Sequence, residues 1–182
     1  LRATAVPVSY IDLYHNAYHS DEGLALALAE NFREYKDYFD AFDLAKQALD
    51  NARAASDSLK AADYLRAMLR LCADSIIRLS QDRGILILLD TAERWVYPTA
   101  EEGLSMPPAW TWFKSWVKQL KRGMVILAGR SPCNSLAVEL GIEPIHLDFF
   151  TQDEIQKYIR AVLDRYSAKM SSADFQITAD EL

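Results

Sequence analysis

The chain has 182 residues, of which 51% are apolar, and carries a net charge of −6. That length suits one domain, or one and a small piece, and the apolar content is enough for a sizeable core. The mildly acidic balance argues against non-specific nucleic-acid binding, which needs a basic stripe, and no apolar run approaches the ~18 residues of a membrane span.

Two cysteines, Cys72 and Cys133, stand far apart without CxxC spacing. They read as small buried hydrophobes in a reducing, cytoplasmic setting. No signal-peptide pattern opens the sequence. The last five residues, Thr178-Ala179-Asp180-Glu181-Leu182, match the T-x-x-E capping box that begins a helix. With Leu1 as the first residue, the expectation is an internal piece of a longer protein.

In chain order, residues 6–13 predict a strand. They are rich in β-branched and aromatic types, and Pro7 near the start is tolerated at an edge or a first residue. A polar, aromatic loop follows to His19. Ser20 then caps a helix whose first turn holds Asp21 and Glu22. From Leu24 to Leu79 the pattern is helical, with Leu24, Leu28, Phe32 and Tyr35 as one stripe and Leu65, Leu69, Cys72, Ile76 and Leu79 as another. Asn51 and Ser56-Asp57-Ser58 are the expected breaks. Two or three helices here are long for a single crossover, so part of the segment is expected to stand off the sheet.

Gly84 ends the helix, and Ile85-Leu86-Ile87-Leu88-Leu89-Asp90 follows. Five apolar residues without polar alternation predict a strand covered on both faces. Residues 94–108 read as a loop ending in two prolines. Residues 110–121 resume helical spacing, with Lys118, Lys121 and Arg122 in the last turn, where the dipole favours cations. Residues 124–129 are a second unbroken apolar strand, ending at Arg130. A short helix over 134–140, a short strand over 144–147, and a capping box at Thr151-Gln152-Asp153-Glu154 opening an amphipathic helix complete the order. This alternation predicts an α/β fold: a parallel sheet flanked by helices, with a long helical segment between its first two strands.

Ligands of such sheets sit beyond the carboxyl ends of the strands. Asp90 stands at one such end, with Glu93 three positions on. Read locally, Asp90 and Thr91 are also ordinary helix-capping residues. Asp12 ends the first strand and is assigned to its turn. His15 and His19 are four apart with Asp21 nearby, but in a loop and without a third strong ligand. Trp110, Trp112 and Trp116 have the spacing of a packed helix face rather than a base-stacking platform.

The stretch ending at Asp90 resembles a Walker B motif. Val125-Ile126-Leu127-Ala128-Gly129-Arg130 resembles the sensor 1 strand of STAND-type P-loop ATPases, relatives of AAA+ proteins, where an arginine often ends the strand. Residues 145–154 are similar to the family's last core strand running into its helical lid. The resemblance implies residues 1–150 as the remainder of an ATPase core and 151–182 as the start of the lid. It implies ATP and Mg²⁺ as cofactors. Asp90 would bind the metal through water, Glu93 would serve as general base, and Arg130 would sense or stabilise the γ-phosphate. Many AAA+ ATPases carry the glutamate directly after the aspartate; here Thr91 occupies that place.

No GxxxxGK[ST] sequence occurs in the chain. The resemblance places that Walker A loop upstream of residues 6–13. Its strand would lie between the sensor strand and the last core strand, so the middle of the sheet would be missing. Without this cradle for the phosphates, the chain alone is expected to bind ATP weakly or not at all. The function implied is part of a signalling switch whose turnover drives attached sensor and effector domains, with protein partners reached through those domains and no membrane or nucleic-acid partner. Two other readings stay open. One is a non-catalytic helical interaction module built on residues 24–79. The other is a phosphoacceptor domain using Asp12 or Asp90.

Overall fold

The computed structural model describes residues 6–96, 106–130, 134–145 and 151–165. The chain divides into two compact units, Leu1–Glu143 and Pro144–Leu182.

In the first unit, strand β1 spans Val8–Asp12 and a 3₁₀ turn follows at Asn16–His19. Helix α1, Asp21–Asn31, begins where expected: the Ser20 hydroxyl accepts the Gly23 N–H at 3.0 Å. A second 3₁₀ stretch, Arg33–Tyr38, leads to α2, Asp40–Ala54, and then α3, Ser58–Asp82. The break between α2 and α3 falls at Ser56, which takes φ of +55°, and at Asp57, whose carboxylate accepts the Lys60 N–H at 3.0 Å. Asn51 breaks nothing; it lies inside α2. A side chain that can cap does not end a helix whose buried face, here Phe42, Leu49 and Ala52, continues past it.

Gly84, at φ +72°, turns the chain into β2, Ile85–Asp90. One helical turn, α4, covers Glu93–Val96, and α5 spans Pro108–Val117 with its proline in the first turn. α5 stops before Lys118, Lys121 and Arg122, which were expected in its last turn. The chain instead tightens there, with the Gln119 N–H donating to the Trp116 carbonyl at 2.8 Å. Strand β3, Gly123–Leu127, and helix α6, Asn134–Leu140, follow.

In the second unit, Pro144 and Ile145 are in no strand, and residues 146 and 147 lie outside the described residues. Pro144 has no N–H for a ladder. Helix α7, Gln152–Arg165, opens with the expected capping box: the Thr151 N–H donates to Glu154 Oε2 at 2.8 Å and the Glu154 N–H to Thr151 Oγ1 at 3.3 Å. The expected loop at Ser171-Ser172 and the closing T-x-x-E box lie outside the described residues, as does Cys133.

The sheet is parallel throughout, in the order β1-β2-β3. Val8 pairs with Leu86, and Leu86 with Met124; Tyr10 pairs with Leu88, and Leu88 with Ile126. Asp12 and Asp90 are partners at the carboxyl end. Right-handed crossovers that step in one direction lie on one face of a sheet, and burial follows that rule. Ile11, Ile85, Ile87 and Leu89 are buried beneath the helices. The alternate positions are not. Val8, Tyr10, Met124 and Ile126 are 51%, 55%, 62% and 38% exposed. The expectation that β2 is covered on both faces is therefore overturned: Leu86 and Leu88 are only half-buried.

The core lies on the covered face. Leu24 and Leu28 of α1 meet Cys72, Ile76 and Leu79 of α3, and Trp95, Trp110, Phe113 and Trp116 close the other side. The tryptophan spacing thus marks helix packing, as expected. Burial pushes the Cys72 thiol well above its ordinary range, so it is inert. α2 and α3 form a helical hairpin, tied to α1 by a two-pronged Arg53–Glu22 pair with both distances at 2.7 Å. No described helix is long and apolar enough to cross a membrane.

Candidate functional site

The carboxyl ends of the three strands bring together the residues singled out from the sequence. Backbone hydrogen bonds stitch the edge. The Leu13 N–H donates to the Asp90 carbonyl at 3.0 Å, the Ala128 N–H to the Leu89 carbonyl at 2.9 Å, and the Ala92 N–H to the Ala128 carbonyl at 2.9 Å. The last of these fastens the turn after β2 to the end of β3. Glu93 and Arg130, far apart in sequence, become neighbours for that reason.

Asp90 is held at both oxygens. The Thr91 N–H donates to Oδ1 at 2.8 Å and the Tyr10 hydroxyl to Oδ2 at 3.1 Å. The Asp90 carboxylate in turn raises the Tyr10 phenol above its usual range, chiefly through this hydrogen bond. Asp12 Oδ1 accepts the Tyr14 N–H at 3.0 Å and the Thr91 hydroxyl at 2.8 Å. These bonds, the backbone one first, hold the Asp12 carboxyl below the ordinary carboxylate range. The assignment of Asp12 to the turn is correct, though its bond to Thr91 also joins two strand ends.

Thr91 itself takes φ of +58°, an uncommon conformation for a β-branched residue. Its left-handed turn sets Glu93 as the first residue of α4. Glu93 Oε2 accepts the Arg130 N–H at 3.2 Å, and Oε1 lies 3.7 Å from Arg130 Nε. The Arg130 side chain is 90% exposed and the Glu93 side chain only 17%. Arg94, the next residue, lies over the Tyr14 ring at 5.5 Å and reaches Asn16 Oδ1 at 3.4 Å, closing the loop after β1 onto α4.

Sequence reasoning missed Tyr10 and Arg94, and read Thr91 only as a capping residue. The signal for Tyr10 was its place two residues before Asp12, on the same face of a strand. Arg94 gave no signal of its own. The two histidines do not form a centre with Asp21. His19 is buried with Nε2 at 3.0 Å from the Leu13 carbonyl, and the His15 ring meets Tyr18 edge-on. Among the described residues no group of three or more histidine, cysteine, aspartate or glutamate side chains could hold a metal ion. Magnesium does not require one. It dehydrates reluctantly and is commonly held by one or two carboxylates together with phosphate oxygens. Asp90, with a lone pair left on each oxygen, fits that lesser demand.

No protein-family model, curated protein or solved structure matches this chain.

Proposed function

We propose that this chain is the C-terminal part of an ATP-binding and ATP-hydrolysing switch module of the STAND type. The observation that carries the reading is the convergence of Asp90, Glu93 and Arg130 at the carboxyl edge of one parallel sheet. That is the edge where α/β sheets bind ligands.

The sheet supports the same reading in a second way. Its three strands leave the β3 edge unpaired among the described residues and one apolar face open. A strand added beside β3 and joined to β1 by a right-handed crossover steps the opposite way. Its helix therefore falls on the open face. A Walker A strand and helix from elsewhere in the protein would fill both vacancies.

In this reading Asp90 would hold Mg²⁺ through water, and the ion would supply neutralisation of phosphate charge. Glu93 orients the attacking water and takes its proton. The water oxygen bonds to the γ-phosphorus, the bond from that phosphorus to the bridging oxygen breaks, and ADP and inorganic phosphate leave. The Glu93 carboxylate is held at this edge by the Arg130 backbone N–H and lies beside the Arg130 guanidinium. Arg130, exposed and three residues beyond the end of β3, brings a planar fork to phosphate oxygens.

The test uses the intact protein. Glu93→Gln stops hydrolysis by a factor of about 100 or more while ATP binding persists. Unchanged turnover removes Glu93 from the mechanism. Absence of ATP binding by the intact protein favours the interaction-module reading instead.

A further inference from the structure

We propose that Tyr10 is a positioning residue that fixes the Asp90 carboxylate for a hydrated divalent cation. The inference rests on the reading of Asp90 as the metal-side acid.

A carboxylate at a strand end can rotate about its two side-chain bonds, and an outer-sphere metal contact needs one orientation. The Thr91 N–H alone holds only Oδ1, at 2.8 Å. The Tyr10 hydroxyl holds Oδ2 from the neighbouring strand at 3.1 Å. Two donors on different oxygens fix the plane of the group. An ionised carboxylate has about four acceptor sites, so roughly one remains on each oxygen for metal-bound water.

The placement of Tyr10 adds a consequence. Its ring lies on the open apolar face, in register with Leu88, which in turn pairs with Ile126. An apolar element packed on that face excludes water from the Tyr10–Asp90 hydrogen bond, which strengthens it. Occupancy of the sheet face and order at Asp90 are then coupled through one phenol.

The experiment is a manganese titration of the intact protein, followed by electron paramagnetic resonance with a non-hydrolysable ATP analogue present. Asp90→Asn loses the tight manganese site. Tyr10→Phe, which keeps the ring and loses only the hydroxyl, weakens manganese binding about three- to tenfold, the equivalent of one modest hydrogen bond. Its affinity for the metal-free analogue and its melting temperature match wild type. Manganese affinity in Tyr10→Phe equal to wild type overturns the inference while the Asp90 reading stands. A parallel fall in melting temperature, analogue affinity and metal affinity also overturns it, because it marks a general structural role. Asp90→Asn with an intact manganese site overturns the reading itself, and this inference with it.

Discussion

The Thr91 hydroxyl donates to Asp12 Oδ1 at 2.8 Å across 79 positions of sequence. Thr91 takes a left-handed φ of +58° to do so. Left-handed backbone costs a non-glycine residue about 1–2 kcal/mol, so the contacts made from this turn must offset that cost. Two of them are the bond to Asp12 and the N–H bond to Asp90.

Thr91→Val keeps the shape and removes the donor, and its effect depends on pH. The folded-state pKa of Asp12 is lowered. A lowered carboxylate contributes stability that is present above its unfolded value, about 3.9, and lost as pH falls through the folded value. Thr91→Val therefore lowers the urea midpoint near pH 6. The gap to wild type closes as the pH falls past the unfolded value and on through the lower folded one. A gap that persists undiminished in acid assigns the cost to the backbone instead.

Gly23 is held to glycine by its neighbour rather than by its dihedral angles. A Cβ there would sit 1.8 Å from the Ala17 carbonyl oxygen, which is backbone and cannot swing aside. Gly23→Ala forces the start of α1 away from the 3₁₀ turn. Overpacking of this kind costs about 1–3 kcal/mol, although alanine is the better helix former. Urea denaturation gives the sign: a stabilised Gly23→Ala variant removes the close approach from the account.

Much of this fold was legible because hydrophobic period and capping chemistry are local. The run ending at Asp90, the Ser20 cap, and the Thr151–Glu154 box all formed as read. What was not legible depends on neighbours. The run 85–89 is apolar on both faces, yet only the direction of the crossovers decides which face is covered. Tyr10 and Asp90 are 80 positions apart, and their bond needs the β1–β2 register. Thr91 adopts a conformation that its own side chain disfavours, so local preference pointed away from it.

Trp95 anchors the turn that carries Glu93. It is fully buried, with ring centroids 5.6 Å from Trp110 and 6.0 Å from Phe113. Trp95→Ala leaves a large void and costs about 3–5 kcal/mol in urea denaturation. Among the described residues its indole N–H is buried without a hydrogen-bond partner. Trp95→Phe removes that orphan donor while keeping most of the ring, so it costs less than the alanine variant. An equal cost for both makes the indole's own shape, rather than buried area, the controlling term.

The open sheet face gives the most direct measurement on this chain by itself. Val8, Tyr10, Met124 and Ile126 make one apolar surface, and β3 is a sheet edge among the described residues. Parallel sheets are ordinarily covered on both faces, and an exposed apolar edge is a site of self-association. Met124→Lys and Ile126→Lys place charge on that face where water already reaches it. In the isolated chain they reduce concentration-dependent association, read by sedimentation, and shift the urea midpoint by no more than about 0.5 kcal/mol of stability, as exposed substitutions do. In the intact protein the same two variants are strongly destabilising if another element covers the face, because each lysine is then buried without a partner. Equal tolerance in both settings leaves the face open in the intact protein, and the proposed Walker A strand and helix would have no place to dock.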